Sequence, residues 1–238
     1  MSNHISLSKH LGVTRKELEK KGVFDASLGI DTPLFVDPKL LIGNQIQELQ
    51  KARETILTYF RTLIQRHKQS NKSERLQKIV LKMLAVSEPV GLSMGYGSKS
   101  DNGTAVSKTT ARRILLSITE LLSIGIEDPE VVEVLGLFIK GFGPDSMSDL
   151  IINIIYFDLC KYTQRVSSEL GVKTQVFKID GTKFNLPVHP FTKKQIIFVP
   201  HSVIRDLPMA TSWDEISSAA EHNENLRQSF DEIIRPAL

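Results

Sequence analysis

Asp145 and Asp149 stand four residues apart in the stretch GFGPDSMSDLIINII, residues 141–155, with Asn153 four residues further on. On an α-helix that spacing stacks the three side chains along one side, drifting roughly 40° per step. The rest of the stretch and its continuation, Met147, Leu150, Ile151, Ile152, Ile154, Ile155, Phe157 and Leu159, is apolar around most of the circumference, so the polar stripe must face a narrow exposed edge or a pocket. Two carboxylates on such a stripe are hard oxygen ligands of the type that Mg²⁺ and Mn²⁺ take. Asp145 also falls in the first helical turn, where a carboxylate complements free amides without any chemistry. Capping gives no account of Asp149. Like charges at this spacing repel by a few tenths of a kcal/mol, which a cation, an arginine or a metal would reverse.

A second acidic pair, Asp31 and Asp37, flanks TPLFV. Asp37 has an ordinary role as the cap before Pro38, and Asp31 has none. The candidate metal set is therefore Asp31, Asp145, Asp149 and Asn153, with Asp145 and Asp149 as the catalytic carboxylates and Mg²⁺ or Mn²⁺ as the cofactor. A phosphate-binding set lies where the Gly- and Ser-rich stretch 87–105 runs into SKTTARRILL. Free amides at a helix start would sit beside Ser107, Lys108, Arg112 and Arg113, an arrangement able to hold a phosphate or a nucleic-acid backbone. The G-x-x-x-x-G-K-[ST] order of a P-loop is missing. A surface loop ahead of an ordinary basic helix is the plainer reading, although a loop of about 19 residues is long enough to suggest function.

Other constellations are weaker. The six histidines show neither HExxH nor C-x-x-C spacing, so zinc has little support. Asp180 with Lys183 or Lys194 has the residue types of a restriction-type nuclease sheet, but Asp180 is better used by a hairpin turn. The lone Cys160 sits in an apolar helix and reads as a buried, inert thiol.

The elements that position these residues follow from local signals. VTRKELEKKGVF places Thr14 three residues before Glu17, a capping-box spacing, with Gly22 as the stop. LGIDTPLFVDPKLL predicts a turn, a short extended piece and a helix start at Asp37-Pro38, and the apolar positions from Leu40 to Ile64 predict one helix over 38–68. Ser73 opens another helix, Ser107 a third, and EDPEVVEVLGLFIKG a fourth before the opening stretch begins a helix that runs to Gly171. TQVFKIDGTKFNLPV predicts a hairpin turning at Asp180-Gly181, and KKQIIFVP a third, buried strand. The tail, with Trp213, Ile216, Leu226, Phe230 and Ile233, returns to helical spacing.

The expected fold class is α+β, helix-dominated: a helical bundle over 1–171, then a small antiparallel β-sheet and a C-terminal helix over 172–238, the two packed as one unit. At 238 residues and 41% hydrophobic residues the chain can bury one sizeable core. The balance of 30 Lys and Arg against 27 Asp and Glu, a net charge of +3, is too mild to indicate nucleic acid or membrane by itself. A single cysteine excludes disulfides within the chain and suits a reducing, cytoplasmic setting. No apolar run approaches the roughly 18 to 20 residues of a membrane span, and Met1 to His10 has no signal-peptide pattern.

Three stretches, LGIDTPLFVDPKLL, GFGPDSMSDLIINI and NLPVHPFTKKQIIFVPHSVIRDLP, resemble blocks of an uncharacterised bacterial family associated with phage-defence and mobile-element loci. The resemblance implies defence against foreign nucleic acid and assigns no site residue. Together with the acidic stripe it leads to the expectation of a divalent-metal-dependent hydrolase, a nuclease whose partner is nucleic acid. The alternative is a non-enzymatic sensor or adaptor subunit that binds a protein partner of a defence complex.

Overall fold

The computed structural model describes residues 5–70, 73–94, 104–130, 132, 139 and 142–206. Among them helix predominates. In chain order the elements are β1 (Ile5–Ser6), α1 (Leu7–Leu11), α2 (Arg15–Lys20), β2 (Ser27–Leu28), β3 (Leu34–Val36), a 3₁₀ turn (Pro38–Leu41), α3 (Ala52–Ser70), α4 (Glu74–Leu84), α5 (Lys108–Ser123), α6 (Pro144–Glu169), β4 (Gln175–Ile179), β5 (Thr182–Leu186), a second 3₁₀ turn (His201–Val203) and β6 (Ile204–Asp206). The strands pair antiparallel and only in twos: β1 with β2, β3 with β6, β4 with β5. The helix expected within EDPEVVEVLGLFIKG and the tail helix with Trp213 lie largely outside the described residues.

The local signals act as their chemistry requires. Thr14 and Glu17 close a reciprocal capping box at α2, and the side chains of Ser73 and Ser107 each accept an amide proton at the starts of α4 and α5. The β4–β5 hairpin turns at Asp180 (φ 43°) and Gly181 (φ 87°), pairing Ile179 with Thr182. Positive φ at both central residues is the twist-matched two-residue turn that Asp-Gly favours.

Two expectations are corrected. Residues 38–68 do not form one helix: the Pro38–Leu41 turn stops at Ile42, and α3 starts only at Ala52. Gly43 takes φ +68°, and the Asn44 side chain accepts from the Ile46 amide at 3.0 Å, so the Gly-Asn pair builds a turn that helical spacing of the apolar residues cannot override. The stretch 196–199 is buried as expected, but it joins no ladder and forms no third strand of the hairpin. It is flanked by single bridges, Val188 to Gln195 and Val23 to Pro200.

The chain divides into two compact units, and each carries its own apolar interior. In the first, which holds residues 5–56, 88–94 and 151–206, Leu7, Leu18, Val23 and Leu28 pack with Tyr162 and Val166 of α6 and with Ile196 and Phe198. The amides of the buried 196–199 stretch find separate partners. Ile196 donates to Pro187 O at 2.8 Å, Ile197 to Gly91 O at 2.9 Å, and Phe198 to the Thr163 hydroxyl at 2.9 Å. Thr163 in turn donates to Leu159 O of its own helix at 2.7 Å. Tyr162 reaches Lys21 O, and Tyr156 donates to Val90 O while accepting from Gln195, so α6 grips three other segments through buried polar groups.

Arg165 adds an ionic clamp on the same helix. It contacts Glu48 through Nε at 2.6 Å and Nη2 at 3.0 Å, and Glu169 through Nη1 at 2.8 Å. Burial is the largest influence on the Glu48 carboxyl and pushes it up, but the Arg165 hydrogen bonds and charge together with hydrogen bonds from the backbone and Gln47 hold the group below its usual 4.5.

The second unit holds residues 57–70, 73–87, 104–130 and 142–150 among those described. Phe60, Leu63 and Ile64 of α3, Val80 and Leu84 of α4, and Ala111, Ile114, Ile118 and Leu121 of α5 are its buried faces, each at helical spacing. Tyr59 donates to Met83 O, His67 meets the Thr119 hydroxyl at 2.8 Å, and Lys68 pairs with Glu127, fixing α3 to its neighbours.

Gly91 makes a close backbone approach in the first unit. It has φ +90°, and a Cβ there would stand 2.2 Å from the backbone oxygen of Gln195. Gly91→Ala combines left-handed strain with overpacking against backbone and should lose about 2–5 kcal/mol. Gly12→Ala, at φ +72° with nothing within 4 Å, carries the strain alone, about 1–2 kcal/mol. Urea denaturation of the two variants should therefore separate them. Equal losses would show that the Gly91–Gln195 contact relaxes freely.

Candidate functional site

The acidic stripe lies where the spacing put it. Pro144 and Asp145 occupy the first turn of α6, Asp149 the second and Asn153 the third. Around them Met147, Ser148, Leu150, Ile151, Ile152 and Ile155 are buried, whereas Asp145 and Asp149 are half-buried and Asn153 is exposed. The stripe is thus partly reached by solvent, as are Ser146 and Ile154 on the same turns. Asp145, Asp149 and Asn153 each take part in a polar or electrostatic interaction, as does Asp31.

Carboxylate oxygens are the ligand type that hard divalent cations take. Mg²⁺ keeps several waters and is commonly held by one or two carboxylates plus substrate phosphates, so two aspartates on one helix edge suffice without a closed cage. No group of three or more His, Cys, Asp and Glu side chains suited to a metal occurs among the described residues. Asp31 sits half-buried between Ile30 and the bridge at Thr32, ahead of β3. Asp37 serves the fold: it accepts from Lys39 N at 2.8 Å, capping the 3₁₀ turn, and meets Arg205 Nε at 2.6 Å.

At the start of α5, Ser107 takes extended backbone (φ −67°, ψ 158°) and its hydroxyl accepts from Thr110 N at 3.0 Å while hydrogen-bonding the Thr110 hydroxyl at 2.9 Å. That hydroxyl is committed to the cap. Val106, buried just before it, donates to Val86 O at 3.1 Å and fixes where the helix begins. Lys108, Arg112 and Arg113 are exposed, and the first two stand four residues apart on one side of the helix. Lys108 and Arg112 place cations on the first turns of a helix, the electrostatics an anion requires, while Arg113 already takes part in an interaction of its own.

The other residues weighed in the sequence have structural roles. Cys160 is buried, and burial pushes its thiol up to about 12, so it is no nucleophile at neutral pH. Asp180 sits in the hairpin turn, and Lys183 faces Lys178 across it. His189 is buried with Nδ1 accepting two backbone amides, while His201 is exposed beside Phe24. Phe191 is exposed between Pro190 and Thr192 and belongs to no motif; its signal in the sequence is an aromatic among Pro, Thr and two lysines.

The described residues thus define a helix-dominated α+β protein with an acidic helix edge and a basic helix start. A family model described as a domain of unknown function (DUF8370) matches residues 12–212, a span that contains all three sequence blocks, and the chain belongs to that family. No curated protein and no solved structure matches it. Among the described residues no helix is long and apolar enough to cross a membrane.

The two ends of the basic set should respond differently to truncation. Ser107→Ala removes a cap and should cost about 1 kcal/mol. Arg112→Ala removes an exposed side chain and should stay within about 0.5 kcal/mol. Urea denaturation checks the order, and a larger loss for Arg112→Ala would mean that its guanidinium holds the fold and is not available to a ligand.

Proposed function

We propose that the chain is a divalent-metal-dependent hydrolase acting on nucleic acid, in bacterial defence against foreign nucleic acid. The observation that carries this reading is the pair of half-buried carboxylates, Asp145 and Asp149, four residues apart in the first two turns of a helix whose neighbouring apolar positions are buried. In this reading they hold Mg²⁺ or Mn²⁺, which when bound would activate water and neutralise phosphate charge. Lys108, Arg112 and Arg113 supply cations for the phosphate backbone, while Ser107 contributes by fixing the helix start. The defence setting rests on the resemblance of the three sequence blocks. A second reading, a non-enzymatic sensor or adaptor subunit of a defence complex, is favoured by the interactions Asp145 and Asp149 already make, since a carboxylate engaged within the chain serves the fold.

Asp149→Asn keeps shape and hydrogen bonding but removes the charge a metal needs. If the pair is a metal site, saturating Mn²⁺ or Mg²⁺ should raise the wild-type melting temperature by roughly 5–10 °C at a hundredfold excess over Kd. Asp149→Asn should abolish that shift and any cleavage of nucleic acid while melting no lower than wild type without metal. A wild type whose melting ignores both metals, with a variant destabilised by about 3–5 kcal/mol, would instead identify Asp149 as one half of a buried ion pair. That result would end the enzyme reading.

A further inference from the structure

After β5 the stretch PVHPFTKKQI, residues 187–196, folds into a closed turn. Val188 and Gln195 form an antiparallel bridge, Ile196 N donates to Pro187 O at 2.8 Å and His189 N to Lys194 O at 2.8 Å, which zips the two ends together. Across the tip, Lys193, at φ +61°, donates back to His189 O at 3.1 Å. The His189 ring lies beneath the tip, 6% exposed, and its Nδ1 accepts from the amides of Phe191 and Thr192, both at 3.3 Å. At the base, His10 Nε2 of α1 hydrogen-bonds Val188 O at 2.8 Å. Backbone and two imidazoles therefore fix this turn, and little conformational freedom remains for a ligand to remove.

What the turn holds out is an aromatic ring among cations. Phe191 is 44% exposed and stands in a T-shaped arrangement with the His189 ring, centroids 5.7 Å apart. Thr192 and Lys193 are exposed beside it, and no acidic residue occurs in the ten residues of the turn. The Lys193 ammonium spends one donor on Pro190 O at 2.7 Å, which leaves two for a partner. The fold does not require an aromatic here: the turn closes through main-chain groups and His189, and a polar residue at 191 would be better hydrated. A preorganised π-face beside a cation matches an unpaired base followed by its phosphate. Duplex DNA stacks its bases inside the helix and offers the ring nothing, and an acidic peptide would use the lysine but not the ring.

We propose that the Phe191 turn is a contact for single-stranded nucleic acid, in which a base stacks on Phe191 and the neighbouring phosphate meets Lys193. The inference rests on the nucleic-acid half of the proposed function and is independent of the metal. Fluorescence anisotropy of the full chain with a labelled 12-nucleotide single strand and with the matching duplex, both in EDTA, tests it without catalysis. The single strand should bind tighter than the duplex. Phe191→Ala should weaken it about 5- to 100-fold at unchanged melting temperature, and Phe191→Trp should retain it. Lys193→Ala should weaken binding less and flatten the salt dependence by about 0.7 in log–log slope.

No binding, equal binding by Phe191→Ala, or preference for the duplex would overturn the inference. So would self-association of the free chain that Phe191→Ala abolishes, since the turn would then be a contact between copies. A chain that cleaves nucleic acid with metal yet binds equally well as Phe191→Ala keeps the proposed function and loses this contact. A chain that binds through Phe191 but ignores metal keeps the contact and loses the hydrolase.

Discussion

Four consecutive apolar residues, Ile196 to Val199, are buried to within 3% exposure without a sheet to receive their backbone groups, and the first unit is arranged around that constraint. A buried amide without a partner costs about 1–3 kcal/mol, so an extended segment outside a ladder must find an acceptor for each. Here they come from different places: Pro187 O, Gly91 O and the Thr163 hydroxyl for Ile196, Ile197 and Phe198, while Val199 O receives Phe24 N. A threonine inside a helix ordinarily spends its hydroxyl on the carbonyl four residues back, and Thr163 does so at Leu159 O. Its remaining lone pair is what makes α6 serve as the neighbour that a strand would have been. The single glycine at 91 follows from the same requirement, because only a residue without Cβ lets its carbonyl come this close to the segment.

Rigidity at this segment passes directly to the groups with chemical potential nearby. Gln195, which opens the buried stretch, is bridged to Val188 and hydrogen-bonded to the Tyr156 hydroxyl, so the turn that lifts Phe191 into solvent begins and ends on fixed atoms. Burial pushes the Tyr156 phenol up to about 12, so it is a neutral donor to Val90 O at neutral pH. α6 has a divided character. Toward its C-terminal half Tyr162, Thr163 and Arg165 are consumed in holding Lys21, Phe198 and Glu48, whereas its first turns carry Asp145 and Asp149 on an edge that solvent reaches.

Features decided within four or five residues were legible from sequence. Thr14 with Glu17, Ser73, Ser107, Asp37 before Pro38, and Asp180-Gly181 each formed the cap or turn that their chemistry dictates, since the partner groups are local. Apolar spacing misled where a turn signal lay inside it, as at Gly43-Asn44, because the period of Leu40, Ile46 and Leu49 takes no account of a left-handed glycine. The 196–199 stretch looked like a strand because burial and β-formers are properties of the segment, while laddering is a property of its neighbours. The candidate site divides in the same way. The alignment of Asp145, Asp149 and Asn153 follows from helical geometry and could be read directly, but the other members of the set depend on tertiary placement that no spacing encodes. At Ser107 the cap and the phosphate ligand draw on one hydroxyl, and sequence cannot apportion it.

The first unit depends most on the buried segment being held by those three amide bonds as one cooperative piece. Native-state hydrogen exchange of the Ile196, Ile197 and Phe198 amides, read against that of Leu159 in the middle of α6, measures it directly. The expected result is that all four exchange only through the global unfolding of their unit, with the same free energy and the same denaturant dependence. Exchange of Ile197 and Phe198 through a smaller, denaturant-independent opening, while Leu159 remains protected, would contradict it.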